Sequence, residues 1–119
     1  MKHNFRKLSF WVKARILVKD IYQMTASFPK EEQWGITPQM RRAAVSVPAN
    51  IAEGCGRDTD KQLIHFLSIA NGSICEFETF VYLAEDLKYI TSQARSEHTQ
   101  RIEEIRKMIM GFQRSLRKV

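Results

Sequence analysis

Three histidines and two cysteines are the side chains best suited to metal binding or nucleophilic chemistry, and their spacing argues against both. A dinuclear metal site in a helical bundle uses Glu-x-x-His pairs, which set a carboxylate and an imidazole on one helix face. Here Gln62 stands three residues before His65, Arg95 three before His98, and nothing three before His3. No two histidines share a helical turn, and Cys55 and Cys75 form neither a CxxC pair nor a cluster with histidine. No metal centre or other cofactor is expected, and both cysteines read as reduced packing thiols. His98 falls on an apolar stripe, which suits a partly buried, hydrogen-bonded packing imidazole better than a general base. His65 lies on the second face of its helix, beside an interface. Gly54-Cys55-Gly56 is too short for a phosphate loop and reads as a turn, and nothing marks any serine as a nucleophile. The chain is expected to be no enzyme and to have no small-molecule substrate, an enzyme with a pocket between subunits being the remote alternative.

The elements that carry these residues are four amphipathic helices. The first covers about residues 8–27, with Phe10, Ala14, Leu17, Val18, Ile21, Met24 and Phe28 at steps of three and four; Pro29 ends it. Thr37-Pro38 reads as an N-cap and first helical residue, opening a helix whose core stripe is Met40, Ala43, Ala44, Val47 and Ile51. Pro48 should kink that helix and Gly54 should stop it. Thr59-Asp60-Lys61-Gln62 is a capping box that starts a third helix reaching about residue 90. Its main stripe is Leu63, Phe66, Leu67, Ala70, Ile74, Phe77, Val81 and Ala84. Beside it runs a second stripe of Ile69, Phe80, Leu83 and Leu87, more apolar surface than one bundle needs to cover, so these four are the expected oligomer interface. The last helix begins near residue 91 or 92, with His98, Ile102, Ile105, Met108, Ile109, Phe112 and Leu116 in its stripe. Short connections between neighbours predict an all-α, antiparallel, up-and-down four-helix bundle, with residues 1–119 as one domain.

Polar residues within these helices need partners if they are buried. Arg41, Arg42, Asn50, Glu53, Glu76 and Glu78 are expected to form a structural network, with the arginines on the glutamates within or between subunits and Asn50 holding backbone.

The net charge of +6 is uneven. Residues 1–30 carry +6 and residues 91–119 carry +4, while the two middle quarters carry −2 each. If the terminal helices are neighbours, Lys2, Arg6, Lys7, Lys13, Arg15, Arg114, Arg117 and Lys118 could merge into one basic surface for RNA or DNA phosphates. No recognition-helix or RNA-recognition signature accompanies them, so contact with bases in a defined sequence is not expected. The same charges would also serve a protein–protein scaffold as a solubilising surface. Lys13 and Arg15 interrupt the apolar segment at residues 8–18, so neither a signal-peptide core nor a membrane span is expected, and cytoplasmic residence follows.

One ordered series of segments resembles a bacterial signature: residues 28–37, FPKEEQWGIT; residues 39–47, QMRRAAVSV; and residues 50–54, NIAEG. In the third helix, residues 66–70 (FLSIA), Gly72-Ser73 and residues 76–79 (EFET) agree as well. Together they are similar to the four-helix-bundle proteins encoded by intervening sequences of 23S rRNA genes. That resemblance implies a homo-oligomer, with a ring of five the expected arrangement. It also links the fold to a basic accessory protein of diversity-generating retroelements that binds nucleic acid and a reverse transcriptase. An address inside an rRNA gene is a genomic fact and does not make the chain a ribosomal component.

Overall fold

Apolar side chains at steps of three and four become buried helix faces. The computed structural model describes residues 3–117 and contains, among them, α1 at Ser9–Thr25, α2 at Ile36–Cys55, α3 at Asp60–Asp86 and α4 at Ser92–Arg117. Short 3-10 turns at Phe5–Lys7 and Lys30–Trp34 precede α1 and α2, and no strand occurs among the described residues. Each helix packs on the next and α1 packs on α4, closing a ring 48 × 24 × 20 Å in extent. The core is drawn largely from the predicted stripes: Ile21, Met40, Ile51, Leu67, Phe77, Val81, Ile105 and Ile109 are each almost wholly excluded from solvent. Fully burying each such side chain contributes roughly 1.5–3 kcal/mol.

Local chemistry sets the helix ends, not always as the sequence implies. The Thr59 capping box is present in full: Thr59 Oγ1 accepts from Gln62 N–H at 3.1 Å, and Gln62 Oε1 accepts from Thr59 N–H at 3.2 Å. Thr37, by contrast, is not a cap. Glu32 Oε1 reaches from the preceding 3-10 turn and accepts from Ile36 N–H at 3.1 Å, so α2 starts at Ile36. Gly54 is not a stop either; it is buried in the last turn of α2, which ends at Cys55 with Gly56 as its cap. A Cβ on Gly54 would come within 2.8 Å of Leu63 Cδ1 and 2.9 Å of Phe66 Cβ, so the glycine lets α3 approach the end of α2. Pro48 lies inside α2, where it has no N–H to give the helical ladder.

α3 ends at Asp86, short of the predicted residue 90. Lys88 adopts φ 64°, Tyr89 N–H bonds to Ala84 carbonyl at 2.9 Å and Lys88 N–H to Glu85 carbonyl at 2.9 Å. This is the Schellman closure, built on lysine where glycine is usual. Thr91 then caps α4, its Oγ1 accepting from Ala94 N–H at 3.0 Å.

Two sets of contacts mark the ends of the bundle. At one, Tyr89 OH donates to Glu32 Oε2 at 2.6 Å, and the Phe28 and Tyr89 ring centroids lie 5.2 Å apart. That bond holds the Glu32 carboxyl below its ordinary range and pushes the Tyr89 phenol up to about 12. At the other, His3 meets Asp60 and Phe112, joining residues before α1 to the start of α3 and the end of α4.

Candidate nucleic-acid interface

The end marked by His3 is where basic side chains collect. Asn4 caps the turn at Phe5–Lys7, its Oδ1 accepting from Arg6 N–H at 3.1 Å. Phe5 tilts against Trp11 at 5.0 Å, and the Arg6 guanidinium lies 4.5 Å from the Phe5 ring centroid. Arg6 and Lys7 are thus fixed on the surface by a short, anchored turn. His3 sits edge-on to Phe112 at 5.5 Å, with Phe10 on the same ring at 5.5 Å, which fastens this turn to the last part of α4. Arg114 and Arg117 occupy the final turn of α4, both exposed, where positive charge also suits the helix dipole. Arg57 and Lys61 flank the start of α3 at the same end, and both are exposed. A model of the 23S rRNA-intervening sequence protein family matches residues 6–111.

The chain belongs to that family. No curated protein matches it. Within this intervening-sequence protein the matched span includes Arg6, Lys7, Arg57 and Lys61, while Arg114 and Arg117 lie beyond it.

The continuous basic surface expected along α1 and α4 is broken midway. Lys13 Nζ lies 2.9 Å from Glu104 Oε1, and Arg101 lies 2.9 Å from Asp20 Oδ2, so two carboxylates interrupt the positive face. Arg15 is exposed, with its guanidinium 5.6 Å from the Trp11 ring centroid. Lys2 and Lys118 lie outside the described residues. Arg57 and Lys61 are absent from the basic set read from the sequence, where Asp58 and Asp60 stand beside them; the fold brings them to the end that holds Arg6 and Arg117.

The predicted polar network is divided. Asn50 Nδ2 donates to Ser46 carbonyl at 2.8 Å and to Ser46 Oγ at 2.9 Å, and Ser46 Oγ meets Ser73 Oγ at 2.8 Å across to α3. Asn50 therefore does hold backbone. Arg41 turns to α1, not to a glutamate: its Nε donates to Thr25 Oγ1 at 2.7 Å and its guanidinium stacks 4.4 Å from the Tyr22 ring centroid. Glu53 pairs with Arg57 at 2.6 Å. Arg42 and Glu76 are exposed and Glu78 is half-buried; among the described residues none of the three forms an ion pair, so the arginine–glutamate pairing is not made within this chain. The second stripe of α3 is split too. Ile69, Leu83 and Leu87 are exposed, whereas Phe80 is half-buried and packs against the core. Phe66, expected in the main stripe, is half-exposed.

The groups that might have done chemistry are dispersed. Among the described residues no three His, Cys, Asp or Glu side chains are placed to hold a metal ion, and no helix is long and apolar enough to cross a membrane. Cys55 is buried, and burial pushes its thiol up; Cys75 is exposed on α3 and so is not a packing thiol. His98 is half-buried, but its Nδ1 has no hydrogen-bond partner, against the expected bonded imidazole. Burial first, then Arg101, lowers its affinity for a proton. Gln113, with no apolar signal to find it, is buried and donates to Ile64 carbonyl at 3.1 Å and Ser68 Oγ at 3.0 Å.

Proposed function

We propose that this chain is a non-enzymatic adaptor of the cytoplasm: an antiparallel up-and-down bundle that assembles with its own copies, five being the expected number, and holds RNA or DNA by its phosphates. The observation that carries the nucleic-acid reading is the gathering of Arg6, Lys7, Arg57, Lys61, Arg114 and Arg117 at one end of the bundle. Phosphate contact asks only for positive charge at workable spacing, and a homo-oligomer repeats that end around its axis so that weak contacts act together. Exposed Val45, Ile69, Leu83 and Leu87 on the packed pair α2 and α3 support self-association, which would cover them. The same exposed residues favour the second reading, a protein–protein scaffold without nucleic acid.

Binding of labelled RNA and DNA at rising salt tests the first reading. Affinity should fall linearly on logarithmic axes, with a slope set by the phosphates neutralised. Replacing Arg114 and Arg117 together by Gln should flatten that slope and leave the oligomer intact. No retention of either polymer at low salt, by protein freed of bound nucleic acid, leaves the scaffold. Light scattering on the wild type and on Leu83→Glu tests assembly: the wild type should be an oligomer that the substitution disperses with its helicity unchanged.

A further inference from the structure

A cleft of about 400 Å³ opens at the basic end, lined by Arg57, Lys61, Gln62, His65 and Phe66. None of these residues belongs to the basic set read from the sequence, and the cleft's makeup differs from a plain cationic surface. Its floor is aromatic. The Phe66 ring is partly open to solvent, the Arg57 guanidinium lies 4.6 Å from its centroid, and the His65 ring stands edge-on at 5.7 Å. Glu53 pairs with Arg57 at 2.6 Å on the exposed rim, which orients the guanidinium and answers part of its charge. Gln62 gives its Oε1 to the Thr59 cap, which leaves its amide N–H groups to donate. Lys61 stands on the rim as an exposed ammonium. Of the nearby acids, Asp60 is engaged by His3 at 3.4 Å and Asp58 is exposed in the turn.

A guanidinium laid over an aromatic ring, beside an exposed ammonium, fits a flat apolar ring that carries a negative charge on a short tether. An unpaired nucleotide has that form; a base within a duplex is stacked on its neighbours and cannot present its face. We infer that this cleft is a stacking subsite for one unpaired base of single-stranded nucleic acid, with the base laid on the Arg57 guanidinium over Phe66, His65 at its edge and Lys61 on its phosphate. The inference rests on the polyanion reading above and adds to it a preference for strand form, because aromatic stacking is available to single strands and tolerant of which base is stacked. The cluster's charge alone would hold both forms by their phosphates.

The test compares the binding of a short labelled oligothymidylate with that of a duplex of equal length, at one low salt concentration, for the full chain and its variants. The wild type should prefer the single strand. Phe66→Leu, which keeps the Cβ that packs on Gly54, and His65→Ala, at an exposed position, should each weaken single-strand binding, roughly five- to one-hundred-fold for Phe66→Leu and less for His65→Ala, while leaving duplex binding unchanged. Arg114→Gln with Arg117→Gln should weaken both forms. If Phe66→Leu and His65→Ala both remain folded and leave single-strand binding at the wild-type level, or lower the two forms equally, the stacking subsite is overturned and the polyanion reading stands. If neither form binds the wild type, both fall.

Discussion

α2 and α3 approach through small side chains and backbone, whereas α1 and α4, beyond the Phe10–Phe112 contact, are bridged by long charged ones. Ala43, Ala44 and Val47 of α2 and Ala70 of α3 are all buried, Ser46 touches Ser73 at 2.8 Å, and Gly54 admits α3 at near backbone distance. No other helix pair in the chain is packed so extensively, and α1 with α4 is the sparsest neighbouring pair of helices. Between those two runs a groove of about 200 Å³ lined by Lys13, Ile16, Arg101, Glu104 and Ile105, bridged by the Lys13–Glu104 and Arg101–Asp20 pairs. Close approach removes water and gains dispersion contacts; charged side chains need water and keep their helices apart. One seam is therefore stabilised chiefly by packing, and the other adds ion pairs that salt weakens.

Truncating an apolar side chain at each seam gives the largest expected contrast. Ile51→Ala, fully buried beside α3, should cost about 2–5 kcal/mol, while Ile16→Ala at the half-open groove should cost under about 1 kcal/mol, read by urea unfolding. Equal losses would abolish the distinction. Glycine gives the next largest effect. Gly54→Ala should destabilise by roughly 1–3 kcal/mol because its Cβ meets Leu63 and Phe66, whereas Gly111→Ala in α4, whose Cβ would meet only the tip of Arg114 at 3.6 Å, should stabilise by about 0.5–1 kcal/mol. The ion pairs come third. A double-mutant cycle on Lys13 and Glu104 should return roughly 0.2–1 kcal/mol at low salt, shrinking towards zero near molar salt.

The smallest effect is one of pH. His98 on α4 faces Arg101 and Glu97 of its own helix and Asp20 of α1, and burial leads in lowering its proton affinity. The unfolded chain therefore takes up the proton first. The contribution of the neutral imidazole is complete above the ordinary value of 6.5 and is lost as pH falls from there through the depressed folded value. His98→Leu should flatten the stability profile across that window. A profile unchanged by the substitution would show that His98 does not couple this seam to pH.

What the sequence discloses follows the range of the interaction. The α3 cap was legible because Thr59 and Gln62 are three residues apart, and the buried faces were legible because helical periodicity repeats within each helix. Thr37 misled because the competing acceptor, Glu32, belongs to a 3-10 turn that no apolar period announces. Arg42 finds no glutamate among the described residues of this chain, because the helix face that carries it is exposed once the neighbours are placed. The cleft of Arg57, Lys61, His65 and Phe66 was hidden for a different reason: His65 and Phe66 were divided between two stripes of one helix, and Arg57 lay in the turn before it. Gln113 was lost among the charges of α4, since only the chain folded around it shows that Ser68 and the Ile64 carbonyl await its amide.

The turn between α2 and α3, residues 56–59, is short enough to order events in time. Closing a short loop costs little chain entropy, so contacts such as Ser46–Ser73 can form early, while Lys13–Glu104 must wait until nearly the whole chain has been brought round. During synthesis the α2–α3 pair is complete before α4 has emerged. Through that interval the flank of α3 that will receive Gln113 faces solvent, and the nascent pair is open to capture by a chaperone. Pulse-labelled hydrogen exchange should find amides of α2 and α3 protected before those of α1.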